Sequence, residues 1–239
     1  MEQTTKQTRK VKLDQILATC CPMFNNRLAA SGKETIVSEL DGSYDEVYKP
    51  LHLMFAARDF LDNYEDCNHI RQLLPYVVVR DTDGRIAMYQ RTSKGTEFRL
   101  QNNLSIGFGG HIDISDLVLQ DVPNHNLIDV RATIMQNVAT ELGEELSLFA
   151  DNMIPDVESA NRHVHIISNA GAVNRVHLAI VFSVTVRDIS VLRIEDELNF
   201  IGWFNQGQLL SEFDLGDFEV WTQALLGIDL STVPALPLP

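Results

Sequence analysis

DVRATIMQNVATELGEELSL, residues 129–148, is the stretch on which the reading of this chain turns. It contains no proline, and Asp129 stands where a helix N-cap would accept from the free backbone N–H groups of a first turn. At 100° per residue, Ile134, Met135, Val138, Leu142 and Leu146 fall on one stripe, with Glu141, Glu144 and Glu145 together beside it. The spacing therefore predicts a helix with one face made for a core and a neighbouring face that carries three carboxylates. Carboxylates that converge repel one another unless protons or a cation neutralise them. Their oxygens are the ligands that Mg²⁺ and Mn²⁺ take, although a solvated acidic face is the plainer alternative. Gly143 lies on neither face and costs about 1 kcal/mol relative to alanine in a helix interior, which points to close packing or a local constraint there.

Upstream, LPYVVVRDTDGRIAMYQR (74–91) reads as a β-hairpin turning at Asp83 and Gly84. LSIGFGGHI (104–112) is a short strand that runs into Gly109 and Gly110, where the lack of a Cβ lets another group approach the backbone. Downstream, HVHIIS (163–168), RVHLAIVFSVTV (175–186) and LNFIGWF (198–204) are strand-like, and DFEVWTQALLG (217–227) reads as a closing helix. Strands, helix, strands, helix make a mixed sheet covered by helices, an α+β arrangement. Three segments follow: an N-terminal extension over 1–73, partly helical because the apolar spacing of 51–74 suits one or two short helices; a main domain over 74–227; and an extended tail over 228–239, which carries three prolines in STVPALPLP.

The 239 residues carry 33 acidic against 19 basic side chains, a formal charge of -14, so the summed field repels nucleic-acid polymers and anionic membranes. A small anionic substrate remains compatible, since a bound cation reverses the sign inside one cleft. Three cysteines, Cys20, Cys21 and Cys67, form neither a disulfide framework nor a zinc spacing, and the polar N-terminus lacks an apolar signal core; a cytoplasmic setting is expected. His163 and His165 share a strand face, where hydrogen-bonded packing is the simpler reading than a metal site. P-loop, G-x-G-x-x-G and Ser-His-Asp signatures are all missing.

The segment TELGEELSL (140–148), following a hairpin and a Gly-Gly strand end, resembles the core of the Nudix box, R-E-U-x-E-E-x-G-U with U apolar; Glu141, Leu142, Glu144, Glu145 and Leu148 match position by position. From about residue 74 to 226 the chain also has that family's order of elements, including a late strand with an aromatic pair, Trp203 and Phe204. Thr140 departs from the motif's arginine, Ser147 from its second glycine, Asn126 from its first glycine and Ala132 from its first glutamate. The resemblance implies an α/β/α sandwich with a mixed sheet and a pyrophosphohydrolase or phosphoesterase, dependent on Mg²⁺ or Mn²⁺, acting on a nucleoside diphosphate linked to another group or on a related phosphoanhydride. It implies that Glu141, Glu144 and Glu145 hold the metal together with a backbone carbonyl at Gly109 or Gly110. A carboxylate of a later loop then serves as base, with Glu195, Asp196 and Glu197 as candidates. Arg91 at a strand end, and Lys94 and Arg99 in the loop after it, are candidates for contact with a substrate phosphate. The alternative is a module of the same fold that binds a nucleotide without turnover. The N-terminal segment could support a homodimer.

Overall fold

The computed structural model describes residues 15–20, 35–41, 52–57, 61, 70–92, 101–121, 127–156, 163–169 and 176–237. One mixed sheet takes in β1 (Gln15–Cys20), β2 (Thr35–Asp41), β3 (His52–Ala57), β4 (Arg71–Arg80), β5 (Ile86–Arg91), β6 (Leu104–Ser105), β7 (Gly107–Phe108), β8 (Met153–Ile154), β9 (His163–Asn169), β10 (His177–Val186) and β11 (Leu198–Phe204). Its main path runs β11-β5-β4-β10-β9-β2. β4 and β10 pair in parallel, from His177 opposite Gln72 to Thr185 opposite Arg80. Both are buried on both faces, which is why Val77, Val78 and Val79 follow one another without the polar alternation of a half-exposed strand. The hairpin turns as expected: Gly84 sits at φ +78 and donates its N–H to the Asp81 carbonyl, while Asp81 Oδ1 accepts from the N–H groups of Asp83 and Arg85.

Three α-helices cover the sheet among the described residues: α1 (Val130–Leu146), α2 (Gln206–Glu212) and α3 (Val220–Leu226). α1 begins where its sequence says it should, with Asp129 Oδ1 accepting from the Ala132 N–H at 2.9 Å. Such a cap contributes about 1 kcal/mol. Ile134, Val138, Leu142 and Leu146 of α1 bury against Val77, Phe108, Ile180 and Phe182 on one face of the sheet. Leu209 of α2 and Trp221 and Leu225 of α3 bury against Tyr76, Val78 and Val181 on the other. The result is an α/β/α sandwich. Gly143 has its reason here: a methyl group at that position would lie 3.3 Å from the ring of Phe149, which packs over the helix.

The region before residue 74 departs from expectation. Residues 52–57, whose apolar spacing suggested a helix, form β3, because β1 offers a partner along its whole length, from Gln15 opposite Ala57 to Cys20 opposite His52. Alternation then does what a helical stripe would have done: Leu53 and Phe55 pack on the main core and Ala56 on a small cluster around Ile16 and Leu61. β1 also joins β4 through Ala18 and Thr19, β2 pairs with β9, and Leu17 is fully buried. β4 itself starts at Arg71, three residues before the hairpin reading placed it. At the other end, Leu230–Thr232 form a 3-10 turn, after which Ala235 bridges Ser183 in parallel and Leu236 is buried.

Candidate metal centre

The acidic helix and the glycine step meet where β7 ends. After Phe108 two residues without side chains let α1 come close, and the Gly109 N–H donates to Glu145 Oε2 at 3.1 Å. The place that a Cβ on Gly110 would occupy lies 2.5 Å from Glu141 Oε1. Gly109 has φ +141, and a Cβ there would collide with the Pro75 carbonyl oxygen, so only glycine fits. Glu141 and Glu145 are thus half-buried against the backbone of 109 and 110, while Glu144 is exposed on the same helix.

Crowding alters their acidity. Burial, reinforced by the carboxylates of Glu144 and Asp116, pushes Glu141 up to about 7, with Asn137 pulling the other way. Burial likewise pushes Glu145 up to about 8; Arg91 and the Gly109 N–H oppose this, and Glu141 and Glu195 add to it. Both groups hold protons where an ordinary glutamate has lost them, because burial and neighbouring carboxylates disfavour their charged forms.

Two residues of this neighbourhood escaped the sequence reading. Asp116 is buried, closes a capping box with Asp113, and accepts from Asn137 Nδ2 at 2.9 Å. Asn137 also donates to the His111 carbonyl at 3.0 Å, and its buried Oδ1 has no partner. Asn137 stands four residues before Glu141, one turn back on the same face, and that spacing was the signal available. For Asp116 the signal was the Asp-x-x-Asp spacing of 113 and 116.

Across the cleft, the Glu195 N–H donates to the Glu145 carbonyl at 3.0 Å. Glu195, Asp196 and Arg91 line, with Gln90 and Thr92, an open polar cleft of about 510 Å³. Glu197, exposed like Glu195 and Asp196, does not line this cleft; its carbonyl accepts from the Thr92 N–H at 2.9 Å. Lys94 and Arg99 lie outside the described residues, as do the side chains of His163 and His165. Among the described residues no three His, Cys, Asp or Glu side chains stand ready grouped around one point. The donor chemistry nevertheless fits a hard divalent cation: two half-buried carboxylates, a third on the same helix, and bare peptide backbone in contact with them.

Ser147 explains the glycine of the motif: it ends α1 at φ 51 and ψ 35, donating its N–H to the Gly143 carbonyl. This left-handed cap is one that glycine adopts freely and that costs another residue roughly 1 kcal/mol. Where the motif has its bracing pair, Thr140 Oγ1 donates back to the Gln136 carbonyl, and Ala132 lines a largely apolar cavity of about 560 Å³ with Gln136, Ala139, Phe149, Met153 and Leu236.

The same arrangement of sheet and helices occurs in known proteins. The chain superposes on the crystal structure of Tm1382, itself provisionally assigned as a Nudix hydrolase, with a TM-score of 0.56 and 20% identity over 89% of this chain and 96% of that one. The fold is that of the Nudix hydrolases. In sequence, the chain is 25% identical over 201 residues to Protein YmaB of Bacillus subtilis (strain 168), covering 82% of this chain and 85% of that protein. No protein-family model matches it. The β1–β3 region is an integral part of the sheet, and Glu141, Glu144 and Glu145 stand on α1. Among the described residues no helix is long and apolar enough to cross a membrane.

Proposed function

We propose that the protein is a divalent-metal-dependent hydrolase of a phosphoanhydride, of the class in which a nucleoside diphosphate is linked to another group. The observation that carries this reading is the contact of the Glu141 and Glu145 carboxylates with the backbone of Gly109 and Gly110, two acids that burial raises to about 7 and about 8. Glu141, Glu144 and Glu145, with a carbonyl of the glycine step, would hold Mg²⁺ or Mn²⁺. Such a metal would neutralise phosphate charge and make a water easier to deprotonate to the hydroxide that attacks phosphorus.

The chain's own residues have separable tasks. Glu141 and Glu145 would hold the ion as carboxylates, and the Gly109 N–H keeps Glu145 in orientation. Arg91, in the cleft wall, binds a phosphate oxygen of the substrate. Glu195 takes the proton of the attacking water: it lines the cleft that Arg91 lines, and its backbone is tied to Glu145, whereas Glu197, exposed as Glu195 is, does not line that cleft.

The test is a panel of nucleoside diphosphate conjugates incubated with Mg²⁺ or Mn²⁺, with release of monophosphate as the readout. Turnover that depends on metal and falls by at least about tenfold in Glu145→Gln, equivalent to about 1.4 kcal/mol in the barrier, supports the assignment. A protein that binds these nucleotides with metal yet releases no product is a binding module instead.

A further inference from the structure

Arg91 reaches the cleft from the end of β5, and a guanidinium in that position swings unless it is held. Its Nη2 donates to the Tyr89 phenol oxygen at 3.4 Å, and its guanidinium carbon lies 5.8 Å from the centre of the Tyr89 ring. Tyr89 is fully buried and packs on Phe108 at 4.7 Å between ring centres. Its hydroxyl donates to the Gly107 carbonyl at 2.6 Å. The phenol proton is therefore committed to the backbone, and lone pairs alone face the guanidinium.

Behind Gly107 lies a second buried tyrosine. The Tyr76 ring occupies the space that a Cβ on Gly107 would need, and its hydroxyl, like that of Ser105, donates to Glu219 Oε1 at 2.5 Å. Ser105 Oγ also accepts from the Gly107 N–H at 3.2 Å. Polar groups thus cross the sheet at its glycine, from Glu219 at the start of α3 through Ser105, Gly107 and Tyr89 to Arg91. A carboxylate buried in a sheet needs such donors, and this one has no lysine or arginine bonded to it among the described residues.

We propose that this through-sheet chain of hydrogen bonds, with Tyr89 as its final link, positions the Arg91 guanidinium for a phosphate oxygen of the substrate. The proposal rests on the hydrolase reading above. Three further facts agree with it. Burial raises the Tyr89 phenol well above its ordinary range, so it stays a donor to Gly107 at every working pH. Arg91 keeps its charge although it is largely buried, and the Tyr89 oxygen is the acceptor that its Nη2 meets. Arg91 Nε is buried without an acceptor, and a phosphate oxygen entering beside it would supply one. Tyr89 touches no substrate in this account; it is a positioning residue.

The experiment is a double-mutant cycle on the full chain, using calorimetric binding of methylenediphosphonate, a non-hydrolysable pyrophosphate analogue, in the presence of Mg²⁺. Tyr89→Phe keeps the ring and its packing and should weaken binding by roughly fivefold to tenfold, Arg91→Met by more, and the double variant no further than Arg91→Met alone within about twofold. Mg²⁺ alone should raise the melting temperature of Tyr89→Phe as much as that of the parent. Losses that add, or a Tyr89→Phe protein that binds like the parent, overturn the positioning role while leaving the hydrolase reading standing. A parent that binds no diphosphonate with Mg²⁺ overturns both. Should Tyr89→Phe fail to fold, Ser105→Ala, which removes the hydroxyl that joins the Gly107 N–H to Glu219, goes through the same cycle: a loss that does not add to that of Arg91→Met supports the positioning role, and an additive loss or parental binding overturns it.

Discussion

Placing a single methyl group on Gly110 separates the carboxylate cradle from the fold that carries it. The new carbon would lie 2.5 Å from Glu141 Oε1 and 2.7 Å from the carboxyl carbon and the other oxygen. Comfortable contact is about 3.5 Å, so the carboxylate has to retreat by roughly 1 Å. The obstacle is the end of a flexible side chain, and a shifted rotamer costs about 1 kcal/mol. In a chain of this size that lowers the melting temperature by roughly 2–4 °C. A misplacement of about 1 Å at a reacting centre, by contrast, costs on the order of a hundredfold in rate. Gly110→Ala is therefore expected to melt, without metal, within about 4 °C of the parent, to gain less from Mn²⁺ in a thermal-shift titration, and to turn over about a hundredfold more slowly. Gly109→Ala is the control with the opposite profile. Its methyl would collide with the Pro75 carbonyl, which belongs to a central strand and cannot step aside, and the residue is held at φ +141. A loss of about 3 kcal/mol or more, or failure to fold, is expected there. Parental turnover and a parental Mn²⁺ shift in Gly110→Ala would show that Glu141 does not work where the structure puts it.

Other expectations follow from the same geometry. Mg²⁺ or Mn²⁺ should raise the parent's melting temperature, and the rise should disappear in the Glu141→Gln, Glu145→Gln double variant; a rise that survives puts the ion elsewhere. Ser147→Gly relieves a left-handed backbone at φ 51 and should stabilise the protein by about 0.5–1 kcal/mol, read as a higher denaturation midpoint, unless that helix end is not strained at all. In metal-free protein Glu141 and Glu145 titrate near about 7 and about 8 against an ordinary 4.5, so between those limits the folded state binds more protons than the unfolded one. Stability must then fall as pH rises from about 4.5 to about 8, and denaturant melts that improve across this window without metal would contradict the assignment of the raised acids.

What could be read from sequence is what short-range periodicity encodes. α1 was legible because its cap, its apolar stripe and its acidic face all recur within five turns, and β11 because LNFIGWF is bounded by turn residues. The approach of Glu145 to Gly109 was legible because two adjacent glycines leave room for something. The strands before residue 58 were not, since their identity depends on partners: β3 exists because β1 lies beside it, and β2 because β9 does. Asp116 was hidden for a similar reason. Its place next to Glu141 is set by a 3-10 turn and by Asn137 reaching over from α1, neither of which announces itself in composition. Glu195 and Glu197 looked alike in the sequence, and only the cleft distinguishes them.

The pairing of β2 with β9 has a consequence for biosynthesis. Thr35 lies opposite Asn169, so the hydrogen-bonding edge of β2 leaves the ribosome 134 residues ahead of its partner. At roughly 5–20 residues per second, that edge waits for about 7–27 s with its N–H and C=O groups unpaired. Through this interval the nascent chain presents an open strand capable of pairing with any other extended segment it meets, including the same strand on a neighbouring ribosome. Slow translation lengthens the exposure and fast translation shortens it, so the yield of soluble protein should depend on elongation rate between codons 41 and 169 more than on the rate anywhere after them.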